Sequence, residues 1–212
     1  MYKDDVEDVP KLNIVDETPD VDRWGELTER FTFPFPPKPP QRETLNAYGH
    51  MDRHGYWWKP GVGKTFGTVA HALYIAHKGK TKQWIVVMPP IVLRNWSRFL
   101  EKVIDRVTGK HVTQCLYAGT PAQRKLMKLD ATFIMMSYEI FKKDFNRFEE
   151  HFWDLRVGLI ADEVHKLKNM QSQTYKAVWR MFSARPVLLA SGTPISTPDD
   201  AYTYMKFTFP GR

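Results

Sequence analysis

Six short apolar runs, separated by segments of helical period, limit what this chain can fold into more than any other feature. The runs are GYWWKP (55–60), QWIVVMP (83–89), HVTQCLYA (111–118), ATFIMMSY (131–138), VGLIADE (157–163) and PVLLASG (186–192). Helical patterning fills the intervals at about 64–78, 91–104, 120–129, 139–150, 171–183 and 198–207. In IVLRNWSRFLEKVI, Val92, Trp96, Phe99 and Val103 share one face, while Arg94, Arg98 and Glu101 lie off it. Several of the strand-like runs are apolar almost throughout, as expected where both sheet faces are covered. Strand–helix alternation of this kind predicts an α/β fold: a mostly parallel sheet with helices on both faces. There is no internal repeat.

Before the alternation begins, residues 1–30 are acidic and weakly periodic, with ten acidic and four basic side chains. The stretch FTFPFPPKPP (31–40) must run extended, because proline fixes φ and removes a donor. It suits either a stiff lead-in whose phenylalanines pack on the main domain or a proline-rich ligand for a partner. Residues 1–38 read as an acidic, proline-rich N-terminal extension, and residues 39–212 as one lobe.

Net charge is +7, so the remainder of the chain carries +13 once the acidic first thirty residues are set aside. That balance suits a polyanionic partner such as nucleic acid, or simply a lysine-rich solvated surface. The single cysteine, Cys115, excludes an internal disulfide and fits a strand core. No secretory signal opens the chain, and its longest apolar run, WIVVMPPIVL, is too short to span a bilayer. The expectation is a soluble intracellular protein without a membrane partner. His50 and His54 have the i, i+4 spacing of a metal pair, but Met51 stands where a zincin needs glutamate and no third ligand is evident.

Two GKT triplets invite a nucleotide reading. The first, Gly63-Lys64-Thr65, closes a strand and opens a helix. Gly61 and Gly63 let the backbone curl so that N–H groups from Gly61, Val62, Gly63, Lys64, Thr65 and Phe66 converge on phosphate oxygens of ATP. Lys64 would reach the β- and γ-phosphates, and the Thr65 hydroxyl would ligate Mg²⁺. The first glycine of the usual G-x-x-x-x-G-K-[ST] pattern is replaced by Trp58. The second triplet, Gly79-Lys80-Thr81, ends that helix just before a strand, so Gly79 reads as a C-cap and not as a cradle. A partner for the first lies 98 residues after Lys64, where the run GLIAD delivers Asp162 and Glu163 to the carboxyl edge of the sheet. Open α/β sheets bind ligands at that edge. Asp162 is placed to hold Mg²⁺, and Glu163 to orient and deprotonate an attacking water.

The residues DEVHKLKN (162–169) and LLASGTPIST (188–197) resemble motifs II and III of the Swi/Snf-type branch of the superfamily-two helicases, which are ATP-driven double-stranded DNA translocases. PPQRETL, IVVMPPIVLRNW, YAGTPAQR, MMSYEIFKKD and DDAYTYMKFTFPG are similar to further segments of that branch in the correct order, so the resemblance spans about residues 39–211. It implies a RecA-like P-loop lobe in which a G-x-G-K-T ending suffices and Gln41 reads the adenine edge. It also implies that His165 links the nucleotide site to motif III, while Ser191 and Thr193 sense motif II. Outside that pattern, His165 would read as a core histidine, Ser191 and Thr193 as turn hydroxyls, and Trp57, Trp58 and Trp96 as packing residues.

DNA tracking needs helix N-termini, hydroxyls and cations more than base-edge readers. Three candidate contacts recur after successive strands: Pro89 with Arg94; Gly119 and Thr120, with Arg124 and Lys125 one turn on; and Ser137 with Tyr138. The resemblance further implies a second RecA-like lobe, on the full-length protein or a partner chain, that supplies arginine fingers. Weak ATP binding and very slow hydrolysis by these 212 residues alone are therefore expected. The alternative is a non-hydrolysing nucleotide- and nucleic-acid-binding adaptor, which has no chemical need for Glu163. A small-molecule kinase would need a lid and an acceptor site for which little length remains. The compact motif spacing points to a bacterial or phage protein acting in the cytoplasm, with the nucleus as the site if the source is eukaryotic.

Overall fold

A computed structural model describes residues 21–153, 156–193 and 197–209. Its elements are α1 (Arg23–Arg30), β1 (Phe31–Thr32), α2 (Pro39–Tyr48), β2 (Arg53–Tyr56), α3 (Lys64–His77) and β3 (Gln83–Met88). A 3-10 turn (Pro90–Val92) runs directly into α4 (Leu93–Leu100), followed by β4 (Ile104–Asp105), β5 (Lys110–His111), β6 (Gln114–Leu116) and α5 (Pro121–Leu126). Then come β7 (Phe133–Ser137), α6 (Tyr138–Lys143), α7 (Phe145–His151), β8 (Val157–Asp162), a second 3-10 turn (Val164–Leu167), α8 (Gln173–Phe182), β9 (Val187–Ala190) and α9 (Pro198–Thr208).

Six strands form one sheet in the order β2-β9-β8-β3-β7-β6, with every pairing parallel. Alternate residues feed two cores: Ile85, Val87, Leu159 and Ala161 enter one, while Trp84, Val86, Met88 and Ile160 enter the other. This two-sided burial is why the strands read as continuous apolar runs, and helices cover both faces as expected. A small antiparallel sheet, β1-β4-β5, flanks the main one.

The register lines up the carboxyl ends of the strands. Tyr56 pairs with Ala190, which pairs with Asp162, and Met88 pairs with Ser137. The loops that follow β2, β8, β9, β3 and β7 therefore leave from one edge, and the site is built there.

The boundaries depart from the sequence reading where a specific contact intervenes. The expected helix at 139–150 is two helices hinged at Asp144. The Asp144 carboxylate accepts Arg124 Nε at 2.7 Å, Arg124 Nη2 at 3.0 Å and the Tyr117 hydroxyl at 2.8 Å. The 111–118 run splits into β5 and β6, and β2 ends at Tyr56, before Trp57 and Trp58. In the weakly periodic N-terminal stretch, α1 forms because Asp22 caps it, accepting Gly25 N–H at 3.1 Å, and Leu27 is fully buried. The phenylalanines of the proline-rich stretch do pack: Phe31 is buried, and Phe33 and Phe35 lie against Phe66. The extended path stops earlier than expected, because Pro39 and Pro40 open α2, where a proline loses nothing by lacking an N–H.

Candidate functional site

The loop between β2 and α3 carries the first GKT. Gly61 and Gly63 have φ of +85° and +92°, a region that favours glycine, and Gly63 caps α3 without any side chain covering the helix's first N–H groups. A fourteen-residue helix with an uncapped start behind a glycine loop is a geometry that favours an anion. Phe66 is the exception among the candidate loop residues. Its ring is buried and meets Trp24, Phe33, Phe35 and Phe99, so only its backbone N–H can serve a phosphate.

Gln41 is placed differently from the expectation that it reads an adenine edge. It is buried, its Oε1 accepts the Lys38 N–H at 2.8 Å, and its Nε2 donates to Val62 O at 2.9 Å and Gly63 O at 3.3 Å. The amide is spent on shaping the loop, and Lys38 Nζ adds a bond to Gly61 O at 3.0 Å. Trp58, at the missing-glycine position, packs its ring on Tyr56 and against Gly67, and its carbonyl accepts the Lys64 ammonium at 3.1 Å.

Lys64 reaches across to the other motifs. A Cβ on Gly192, two residues beyond β9, would lie 3.3 Å from its Nζ, and its charge counteracts part of the burial effect on Asp162. Asp162 is buried at the end of β8. Its Oδ2 accepts the Trp96 indole N–H at 2.8 Å, its Oδ1 accepts the Glu163 N–H at 3.0 Å, and its backbone carbonyl accepts the Tyr138 hydroxyl at 2.8 Å. Burial raises its pKa above the usual aspartate value in spite of the Trp96 and Glu163 donors and of Lys64. Thr65, the other residue expected to hold Mg²⁺, stands in the first turn of α3, which starts from the same sheet edge.

Glu163 is, among the described residues, the sole non-glycine with positive φ, at 51°. Such strain concentrates at functional sites. The turn brings Glu163 Oε2 within 3.5 Å of both Ser191 Oγ and His165 Nδ1. Ser191 is buried and accepts the Thr193 N–H at 3.2 Å. The four residues from motifs II and III thus form one contiguous group; Pro194, Ile195 and Ser196 of motif III lie outside the described residues.

The candidate DNA-facing residues divide. Pro89 ends β3's loop, and Arg94 is exposed on α4. Gly119 has φ +98°, and Thr120 caps α5 in a reciprocal box with Gln123. Ser137 is buried and caps α6, accepting Ile140 N–H at 3.2 Å, so it too is corrected from an outward DNA contact to a residue that shapes the loop. Two further candidates are corrected. Arg124 is buried in the bidentate pair with Asp144 and bonds Gly119 O at 2.6 Å, so it braces the loop from behind. Tyr138 is buried with its hydroxyl on Asp162, not on the outer surface. The sequence reading also missed the polar role of Trp96, whose helical spacing marks it only as a core residue.

At the opposite end of α3, Gly79 has φ +75° and the second GKT forms a helix end, with Lys80 paired to Asp52 at 2.6 Å. Burial pushes His54 down to about 4, and its ring stacks on Tyr48. No helix among the described residues is long and apolar enough to cross a membrane.

A parallel sheet with a glycine loop on one strand's carboxyl end and an acid pair on another's defines a P-loop lobe of RecA-like architecture. The chain belongs to the family of the SNF2-related domain, whose model matches residues 59–212. Helicase SWR1 of Eremothecium gossypii is 32% identical over 142 residues, covering 64% of this chain and 9% of that protein. Nuclear protein STH1/NPS1 of Saccharomyces cerevisiae is 25% identical over 71% of this chain and 11% of its own length. In fold, the chain is similar to the Sulfolobus solfataricus SWI2/SNF2 ATPase core in complex with double-stranded DNA, with TM-score 0.69, 23% identity, and coverage of 84% of this chain and 37% of that one. The chain thus spans about a tenth of the curated relatives' length. These relatives are eukaryotic and archaeal and give no support to the expectation of a bacterial or phage protein.

Proposed function

We propose that this chain is the nucleotide-binding first lobe of a DNA-dependent ATPase that moves on double-stranded DNA. The observation that carries the reading is the approach of the Lys64 ammonium to the Gly192 turn, which follows the strand paired to Asp162, beside the uncapped start of α3. Backbone N–H groups of residues 63–66 would hold the phosphates, and the Lys64 ammonium would leave the Trp58 carbonyl for the β- and γ-oxygens. Thr65 and Asp162 would hold Mg²⁺, which when bound neutralises charge on those oxygens. Glu163 would accept the proton of the attacking water, with Ser191 fixing its carboxylate and the His165 ring beside it. Pro89, Arg94, Gly119 and Thr120, on the same edge, would face the DNA backbone.

A second RecA-like lobe would supply the arginine finger, which contributes about 10³- to 10⁵-fold in rate. ATP binding by this chain alone should accordingly be weak and its hydrolysis very slow. In a full-length motor containing this lobe, Glu163→Gln should keep ATP bound and lower DNA-stimulated turnover by roughly 10²-fold or more. Hydrolysis unchanged by that substitution would remove the assigned role, and robust turnover by the isolated 212 residues would contradict the two-lobe reading.

A further inference from the structure

Trp96 joins two surfaces that the proposed function keeps separate. It lies on α4, the helix that leaves β3 through Pro89 and carries exposed Arg94 two residues earlier, or about 3 Å along the axis. Its ring is buried, yet its one polar atom is spent on Asp162 Oδ2, 2.8 Å away and 66 residues distant in sequence. The other carboxylate oxygen is fixed by the Glu163 N–H. The rotation of the Asp162 side chain is therefore set from two sides: by its own strand end, which Tyr138 pins through the backbone carbonyl, and by α4. A shift of α4 relative to β8 has to stretch the indole bond or turn the carboxylate. The helix is anchored to the sheet by Leu93, Trp96 and Leu100, so it moves as a body. An indole N–H can only donate, which makes the contact directional and leaves the residue unable to serve as a metal ligand itself.

We infer that Trp96 is a positioning residue that couples DNA contact at the start of α4 to the orientation of Asp162. This rests on the reading of the chain as a nucleotide- and DNA-binding lobe. The coupling is energetic and reciprocal: DNA engagement that reorients Asp162 changes Mg²⁺-nucleotide affinity, and nucleotide changes DNA affinity by the same factor.

Two measurements test it. In the ¹⁵N-labelled chain, the Trp96 indole N–H, assigned by triple-resonance experiments among the seven tryptophans, should shift on addition of Mg²⁺-ADP and, separately, of a short DNA duplex. In parallel, the affinity for a fluorescent ADP analogue with Mg²⁺ is measured with and without saturating duplex. Wild type should show a DNA-dependent change of about fivefold or more, within the usual range of coupling between sites. Trp96→Phe, which keeps the ring and removes the N–H, should bring that ratio to within twofold of unity while both ligands still bind. A ratio unchanged in Trp96→Phe, or an indole resonance that ignores bound duplex, would overturn the coupling role and leave the lobe assignment standing. Absence of nucleotide binding in the wild-type chain would overturn both.

Discussion

Gln41 shows how a single side chain sets the shape of the site from outside it. Its three hydrogen bonds to Lys38, Val62 and Gly63 hold loop carbonyls away from the phosphate side. Gln41→Ala should weaken nucleotide binding by about tenfold or more, since the three lost bonds are worth about 0.5–1.5 kcal/mol each, and fluorescent-nucleotide titration checks this. A second residue-scale prediction concerns His71, buried in α3 with Nδ1 on the Tyr56 hydroxyl at 2.9 Å and Nε2 on the Met51 carbonyl at 3.0 Å. Burial drives its pKa down from 6.5 to about 3. Its folded value lies below its unfolded one, so its contribution is fully present above pH 6.5 and is lost as pH falls toward 3. Between pH 7 and pH 5 this group alone should remove about 2 kcal/mol of stability. Thermal melts across that range, with NMR showing His71 still neutral at pH 5, are the check; a His71 ring that titrates near 6.5 would contradict the assignment.

At the scale of elements, the carboxyl-edge loops depend on braces that tie helices together. Arg53, on β2, donates to the carbonyls of Phe182 and Ser183 at 2.9 and 2.7 Å, and to that of Phe207. One guanidinium thereby closes the C-terminal ends of both α8 and α9. Arg53→Met should leave those carbonyls unpaired and destabilise the lobe by about 2–4 kcal/mol, read as a fall of roughly 5–15 °C in Tm. A Tm within a degree of wild type would show the brace to be dispensable. The same logic accounts for what sequence could not reveal. Arg124 looks like a DNA-facing cation until folding brings Asp144 onto it, and Trp96 looks like a core ring until Asp162 arrives. Both partners are fixed by strand order and helix orientation, which local periodicity does not carry. The placement of Asp162 and Glu163 at a strand end was legible because an apolar run announces it, and that of Lys64 and Thr65 at a helix start because a glycine loop does.

For the whole molecule, the alternation of strands and helices foretold the parallel sheet and its two cores, while the N-terminal segment was the part least legible. α1 has few apolar residues, but Leu27 is fully buried in the core that also holds Phe66 of the P-loop helix. Its burial depends on α2 and α3 being in place, information absent from eight residues of its own sequence. Leu27→Ala should cost about 2–5 kcal/mol, measurable by urea denaturation; a loss under about 0.5 kcal/mol would mean that α1 is peripheral to the fold. The central claim is that the loop lysine and the acid at the end of β8 serve one nucleotide–metal pocket. Its most direct test is titration of the chain with a fluorescent ATP analogue, with and without Mg²⁺, in wild type, Lys64→Ala and Asp162→Asn. Saturable one-to-one binding that Mg²⁺ strengthens in wild type, that Lys64→Ala abolishes and that loses its Mg²⁺ dependence in Asp162→Asn is the predicted result. Binding with the same Mg²⁺ dependence in all three proteins would contradict it.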